Sequence, residues 1–368
     1  MAIALLTTYL SDYRVPLYRL LAERHGVEVL CYGGGDRYVP PWFADLDSQL
    51  AAAPFPARRL RGLPEALSIG RSYDAAIAPF AGGALLPAAY LGARRYRKPF
   101  VFWASVWHQP RSASHALALP VIRHIYRHSD AVIAYGDHVR HFVAGIRGRD
   151  DDVFVAPQAV EPELFARAVG DDELRAFRGA HRLGAGPLVL YSGRLVAEKG
   201  IEVLLRAWPL VSSGATLVLV GDGPLRAAAA ALPGARLLGA LPRDTLAVAY
   251  RAAALTLVPS VATPRFKEPW GLVCNEAMLQ RRPVVVTSAV GAAGGGLVRD
   301  GVTGLVVGPG DPAGLAGAID RLLADPALRD RLGAAAHDAA AAYTYEAMAA
   351  AFDRALAVAG VGVGSAAH

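Results

Sequence analysis

Apolar residues follow two rhythms along the chain. Short runs rich in Val, Ile and Leu alternate with longer stretches in which Leu and Ala recur three or four positions apart. The short runs have the look of strands buried on both faces, and the longer stretches carry the one-sided stripe of helices packed against a sheet. Their alternation predicts parallel strands joined by crossover helices, an α/β fold. Strands are predicted at Ile3–Thr7, Val27–Cys31, Ala75–Pro79, Phe100–Val106, Ala131–Tyr135 and Val153–Ala156 in the first half. In the second half they are predicted at Leu188–Ser192, Thr216–Val220, Leu255–Pro259, Val284–Thr287 and Gly304–Val307.

Between the halves, Ala156-Pro157-Gln158-Ala159-Val160-Glu161-Pro162 leads into a charged stretch without a strand pattern, which continues to Pro187. The junction falls there. Each half then has about five strands, and two doubly wound domains facing a central cleft are expected, residues 1–168 and 169–342. The last amphipathic pattern, 343–359, is rich in alanine.

At 368 residues, each half is long enough to bury its own core. With 54% hydrophobic and 19% charged residues, the chain is not a disordered one. Cys31 and Cys274 stand far apart in no CxxC or Cys/His cluster, which excludes a disulfide framework and a structural zinc site and fits a reducing compartment. Asp150-Asp151-Asp152 reads as a solvated loop, and no metal site is expected. Mean hydropathy is +0.29, but Gly, Pro or charge interrupts every apolar run before bilayer-spanning length. The N-terminus reads as a first strand and not as a signal peptide, so a cytoplasmic protein is expected. The net charge of +6 suits anionic partners without separating a phosphate-bearing small molecule from nucleic acid or membrane.

Ligands of open α/β sheets lie beyond the carboxyl ends of the strands. After Leu188–Ser192 comes Gly193-Arg194-Leu195-Val196-Ala197-Glu198-Lys199-Gly200, which puts two cations on a glycine-bounded turn at a helix entrance. This suits a diphosphate clamp, with Arg194 as a forked donor and Lys199 as a mobile charge, and equally a surface ion-pair turn. Gly221-Asp222-Gly223-Pro224 follows the next strand as a tight turn in which Asp222 is placed to cap a helix. Its glycines, like the stretch Leu238-Gly239-Ala240-Leu241-Pro242, would let a flat ring approach the backbone. In Lys267-Glu268-Pro269-Trp270-Gly271-Leu272-Val273-Cys274-Asn275-Glu276, Pro269 and Gly271 hold Glu268 on a loop, while Glu276 lies a turn into the following helix. The amides around Gly271 to Val273 head that helix and form an anion site. A carboxylate on each side of an anion site suits a nucleotide sugar; the plainer alternative is a loop charge and an exposed helix residue.

GRLVAEKG, LVGDGPLR, LLGALP, VPS and EPWGLVCNEAM, followed by RRPVVVTSAVGAAGGGLVRDGVTGLVVGPGDPAGLAGAI, resemble the retaining glycosyltransferases of family four from about Pro187 to Ala359. The resemblance implies the GT-B fold and a bacterial nucleotide-sugar enzyme that needs no metal or cofactor. Its donor would be a nucleoside diphosphate sugar such as a UDP- or GDP-sugar. Arg194 and Lys199 would bind the donor diphosphate, Glu268 the sugar and Glu276 the ribose. Gly193, Gly221, Leu238, Leu241, Trp270, Gly271, Leu272 and Val273 would complete the donor site. The terminal helix would cross back onto the first domain. His108, at a strand end, would stand near the donor sugar. Tyr13, Arg14 and Trp107 are the candidate acceptor residues, in a half that lacks the family's usual glycine pair after the first strand. A second departure is Gly291-Ala292-Ala293-Gly294-Gly295-Gly296, where relatives commonly carry a glutamate.

The function implied is retaining transfer of a sugar to an acceptor hydroxyl or amine on a small natural product or a cell-envelope glycan or lipid. The alternatives are a nucleotide-sugar-binding protein without transfer, and an epimerase or hydrolase on the same scaffold. No GxGxxG opens a helix after the first strand, which disfavours a nicotinamide dehydrogenase. No nucleic-acid partner is expected. The basic clusters Arg58-Arg59-Leu60-Arg61 and Arg94-Arg95-Tyr96-Arg97-Lys98 are either solvated faces or points of peripheral membrane contact.

Overall fold

A computed structural model describes residues 1–33, 45–80, 83–109, 111 and 113–362. They form two compact units: Met1–Gln158 together with the segment from Tyr345 onward, and Ala159–Thr344.

The first unit holds a seven-stranded sheet of β1 (Ile3–Thr7), β2 (Val27–Cys31), β3 (Ala57–Arg59), β4 (Ala75–Pro79), β5 (Phe100–Ala104), β6 (Ala131–Ala134) and β7 (Val153–Val155). All pairs are parallel, in the order β3-β2-β1-β4-β5-β6-β7. Central strands such as β5 are buried along their whole length, as their unbroken apolar runs require. The terminal helix Tyr345–Val358 belongs to this unit and packs on the helix Val15–His25. There Asp353 accepts hydrogen bonds from Arg24 at 2.9 Å and pairs with His25 Nε2 at 2.6 Å. Phe352 meets Trp103 edge-on, with ring centroids 5.1 Å apart.

In the aspartate run, Asp150 and Asp151 are exposed, as a solvated loop requires, and only Asp152 departs from that reading. Asp152 is buried and held by Arg147 and Arg149, and Asp150 pairs with Arg140 at 2.9 Å.

The second unit holds β8 (Leu188–Ser192), β9 (Thr216–Val220), β10 (Ala235–Gly239), β11 (Leu255–Val258), β12 (Val284–Thr287) and β13 (Gly304–Val307), all parallel, in the order β10-β9-β8-β11-β12-β13. Val189, Tyr191, Leu217, Leu219, Leu257 and Val285 form the centre of its core.

Strand order reverses between β1 and β4 in one unit and between β8 and β11 in the other. At such a point the two flanking crossovers leave in opposite directions, opening a crevice at the carboxyl ends of the strands. The strands not foreseen, β3 and β10, are both sheet edges. Half-exposed and carrying arginine, they lack the apolar run that marks a central strand.

Candidate active site

The crevice of the second unit is built first by the turn after β8. Gly193 has φ 151° and Gly221, after β9, has φ 128°. A Cβ on Gly221 would lie 2.0 Å from the Gly193 carbonyl oxygen, so the two turns are pressed backbone to backbone. That contact requires glycine at 221 whatever the ligand. Gly200, with φ 75°, packs equally hard on the Pro259 carbonyl and starts the helix Ile201–Ala207 directly after Lys199. Asp222 does not cap the next helix, which starts at Arg226; it accepts from the Gly223 amide at 2.7 Å and pairs with Arg226 at 3.5 Å.

Opposite stands the loop that follows β11. The Lys199 ammonium donates to Glu268 Oε2 at 2.5 Å, and Ser260 Oγ donates to the same oxygen at 3.0 Å. Lys199 also lies 5.8 Å from the Phe266 ring centre. Glu268 is 6% exposed, and its backbone is stitched to the residues after β12: Gly291 N–H donates to its carbonyl at 3.1 Å. A Cβ on Gly291 would sit 2.0 Å from the Pro269 oxygen. The glycine that opens the departing segment 291–296 therefore has a packing reason.

Arg194 is on the same turn, half-exposed, with Glu198 at 3.5 Å. Its carbonyl accepts from the Tyr191 hydroxyl at 2.7 Å. Gly271, with φ 91°, precedes the helix Val273–Leu279, and its carbonyl accepts from the Cys274 amide at 2.9 Å. Glu276 accepts from the Tyr250 hydroxyl at 2.6 Å. Burial pushes its carboxyl above the ordinary value, against that hydrogen bond and the positive charge of Arg243. Arg243 in turn grips Glu161 through two bonds of 2.6 and 2.5 Å.

The structure thus brings Lys199 and Glu268 into contact at the β8/β11 reversal, with Gly193, Arg194 and Gly221 on the adjoining turns. Leu238 and Leu241 are half-buried at the end of β10. Leu272 and Val273 are half-buried, whereas Trp270 is buried, with its indole N–H donating to Asn275 at 2.8 Å. His108 is half-buried beyond β5 in the first unit, and Trp107 beside it packs edge-on against His138 at 4.7 Å. The Tyr13 carbonyl accepts from the Tyr345 hydroxyl at 2.8 Å.

Arg14 is 5% exposed, as a core residue is, and not open to an acceptor as expected. Its guanidinium donates to Gln158 Oε1 at 2.5 Å and lies 4.8 Å from the centre of the Trp103 ring. Sequence reasoning missed Ser260, Tyr250 and the Arg243–Glu161 pair. Only Ser260 left a signal, as the polar residue closing an apolar strand. Among the described residues no group of three or more His, Cys, Asp or Glu could hold a metal ion.

Both sheets with their flanking helices make the GT-B fold. The crystal structure of Anabaena Alr3699/HepE in complex with UDP aligns with a TM-score of 0.80 at 20% identity, covering 97% of this chain and 100% of that one. Residues 186–325, within the second unit, match the family described as Glycosyl transferases group 1. Alpha-D-kanosaminyltransferase of Streptomyces kanamyceticus is 36% identical over 173 residues, which are 44% of this chain and 43% of that protein. D-inositol 3-phosphate glycosyltransferase of Acidothermus cellulolyticus is 40% identical over 212 residues, 51% of this chain and 44% of its own. The chain spans less than half the length of these two relatives.

Proposed function

We propose that the chain is a retaining, metal-independent glycosyltransferase of family four, moving a sugar from a nucleoside diphosphate sugar to an acceptor hydroxyl or amine. The observation that carries this reading is the Lys199–Glu268 contact at the strand-order reversal, inside the segment that matches a glycosyltransferase family. Two relatives named as sugar transferases and a structural neighbour holding UDP support it.

The difficult event is heterolysis of the bond between the anomeric carbon and the diphosphate oxygen. The electron pair leaves with the diphosphate while the sugar becomes oxocarbenium-like. Lys199 and Arg194 offset the growing negative charge, and the amides around Gly271 to Val273 add their dipoles; one well-placed donor of this kind is worth ~3 kcal/mol. Before the donor arrives, the Glu268 carboxylate keeps the ammonium in place. The diphosphate then shares Lys199, and Glu268 accepts hydrogen bonds from sugar hydroxyls. Glu276, aimed by Tyr250, accepts from the ribose hydroxyls. The acceptor oxygen or nitrogen bonds to the anomeric carbon on the face the diphosphate leaves, and its proton passes to a phosphate oxygen.

The test is incubation with a panel of UDP- and GDP-sugars, with and without alcohol and amine acceptors, followed by NMR of the product's anomeric proton. A product with the donor's anomeric configuration is expected. Tight donor binding without product makes the chain a binding protein. Donor consumed without any acceptor makes it an epimerase or hydrolase.

A further inference from the structure

The helices Leu63–Leu67, Leu85–Arg95 and Ala113–His128 lie side by side on one face of the first unit's sheet. Gly92 is so close to the first of them that a Cβ there would be 2.3 Å from the Ala66 oxygen. The Tyr90 ring meets His124 on the third at 5.7 Å. A soluble layer of this kind shows polar residues outward. Here Leu117 is 85% exposed, Leu91 57%, Val121 47% and Leu67 46%. These side chains stand on three neighbouring helices rather than scattered singly over the surface.

The stretch of chain that carries these three helices, with the strands and loops between them, is also basic. Residues 58–130 hold eleven Lys and Arg against three Asp and Glu, a larger positive excess than the +6 of the whole chain. Each of the three acids is already paired: Glu65 with Arg58 at 2.7 Å, Asp74 with Lys98 at 3.0 Å, and Asp130 with Arg94 at 2.9 Å. Arg95, Arg97 and Arg123 are exposed, with no acidic partner among the described residues. The cluster at Arg58 and Arg59 is different. Glu28 and Glu65 hold Arg58 and Asp47 holds Arg59, so these two arginines serve the fold.

We propose that the outer face of this helical layer docks on an anionic lipid bilayer, with Leu117, Val121 and Leu91 entering the headgroup boundary and Arg95, Arg97 and Arg123 binding lipid phosphates. Leucines that stand well clear of the surface, with unpaired arginines around them and no free acid, fit a fluid negative surface. A protein partner would instead need a shaped pocket for each anchor. The inference does not depend on the transfer chemistry proposed above.

Vesicle co-sedimentation of the full chain tests it, using phosphatidylcholine vesicles with and without phosphatidylglycerol. The chain is expected to pellet with the mixed vesicles at low salt, to be released at high salt, and to stay in solution with phosphatidylcholine alone. L117D/V121D and R95E/R97E are each expected to weaken partition about tenfold or more. Since these positions are exposed, their melting temperatures should match that of the unaltered chain; L117S/V121S serves if the aspartates unfold it. No pelleting with mixed vesicles overturns the proposal, and so does pelleting that the substitutions leave unchanged. Self-association that the same substitutions abolish, without lipid binding, would assign the face to a second copy of the chain instead.

Discussion

Both units place a cation where the first strand hands over to its crossover helix. Lys199 precedes the helix Ile201–Ala207, and Arg14 precedes the helix Val15–His25. In the second unit that cation touches a carboxylate and keeps 23% of its side chain exposed. In the first, the guanidinium is sealed among Trp103, Tyr13 and Tyr135, at 4.8 to 5.2 Å from their ring centres, with Gln158 and Met348 on its nitrogens. Among the described residues no carboxylate reaches it. Topology therefore delivers the same charge twice, and the neighbours decide its use. A flexible ammonium beside an exchangeable carboxylate can be shared with an arriving anion. A planar cation stacked on rings is fixed in place, because leaving would strip it of contacts worth up to ~2 kcal/mol each when desolvated.

Exchanging the two losses sharpens the contrast. Lys199→Ala is expected to lower turnover about 100-fold or more, ~3 kcal/mol of transition-state stabilisation, with a much smaller change in urea midpoint. Steady-state kinetics beside a denaturation curve measure both. Arg14→Ala should show the opposite pattern, losing about 2–3 kcal/mol of stability as Gln158 loses a buried partner and the rings lose their packing. The chains that stay folded should bind UDP normally by calorimetry. Equal losses of stability in the two variants would erase the distinction.

Glu276→Gln should weaken nucleoside diphosphate affinity about tenfold, ~1.4 kcal/mol, in the same titration. The smallest effect is one of pH. The folded-state value of Glu276 is raised, so the native chain binds more protons than the unfolded one in the window starting near the ordinary value of 4.5. Stability contributed by this group is greatest below that window and falls as pH rises through it. Urea unfolding of both forms from about pH 4 to 7 should show Glu276→Gln gaining on the unaltered chain as pH rises. A constant difference would mean the carboxyl is not perturbed.

Much of this was legible in the chain itself. Strands such as β8 and β12 announce themselves because burial on both faces demands an unbroken apolar run, and the turn after β8 follows from the topology they impose. The edge strand β10, half covered, breaks that pattern with Arg236. Ser260 on Glu268, Tyr250 on Glu276 and Glu161 on Arg243 are meetings between residues 8 to 82 positions apart. Local spacing has no means of expressing them. Arg14 misled for the opposite reason: a lone arginine near a strand end reads as a ligand cation until the rings that enclose it are brought together by folding.

The first unit is interrupted: its chain departs at Gln158 and returns only at Tyr345. During synthesis the helix Tyr345–Val358 therefore follows the whole intervening unit before it can close on the sheet made earlier, with Asp353 reaching back to His25 and Phe352 to Trp103. The intervening unit, being continuous, can finish first. A nonsense codon at the passage from Thr344 to Tyr345 would thus spare the unit it adjoins and leave the distant sheet of the first unit uncovered, open to proteases.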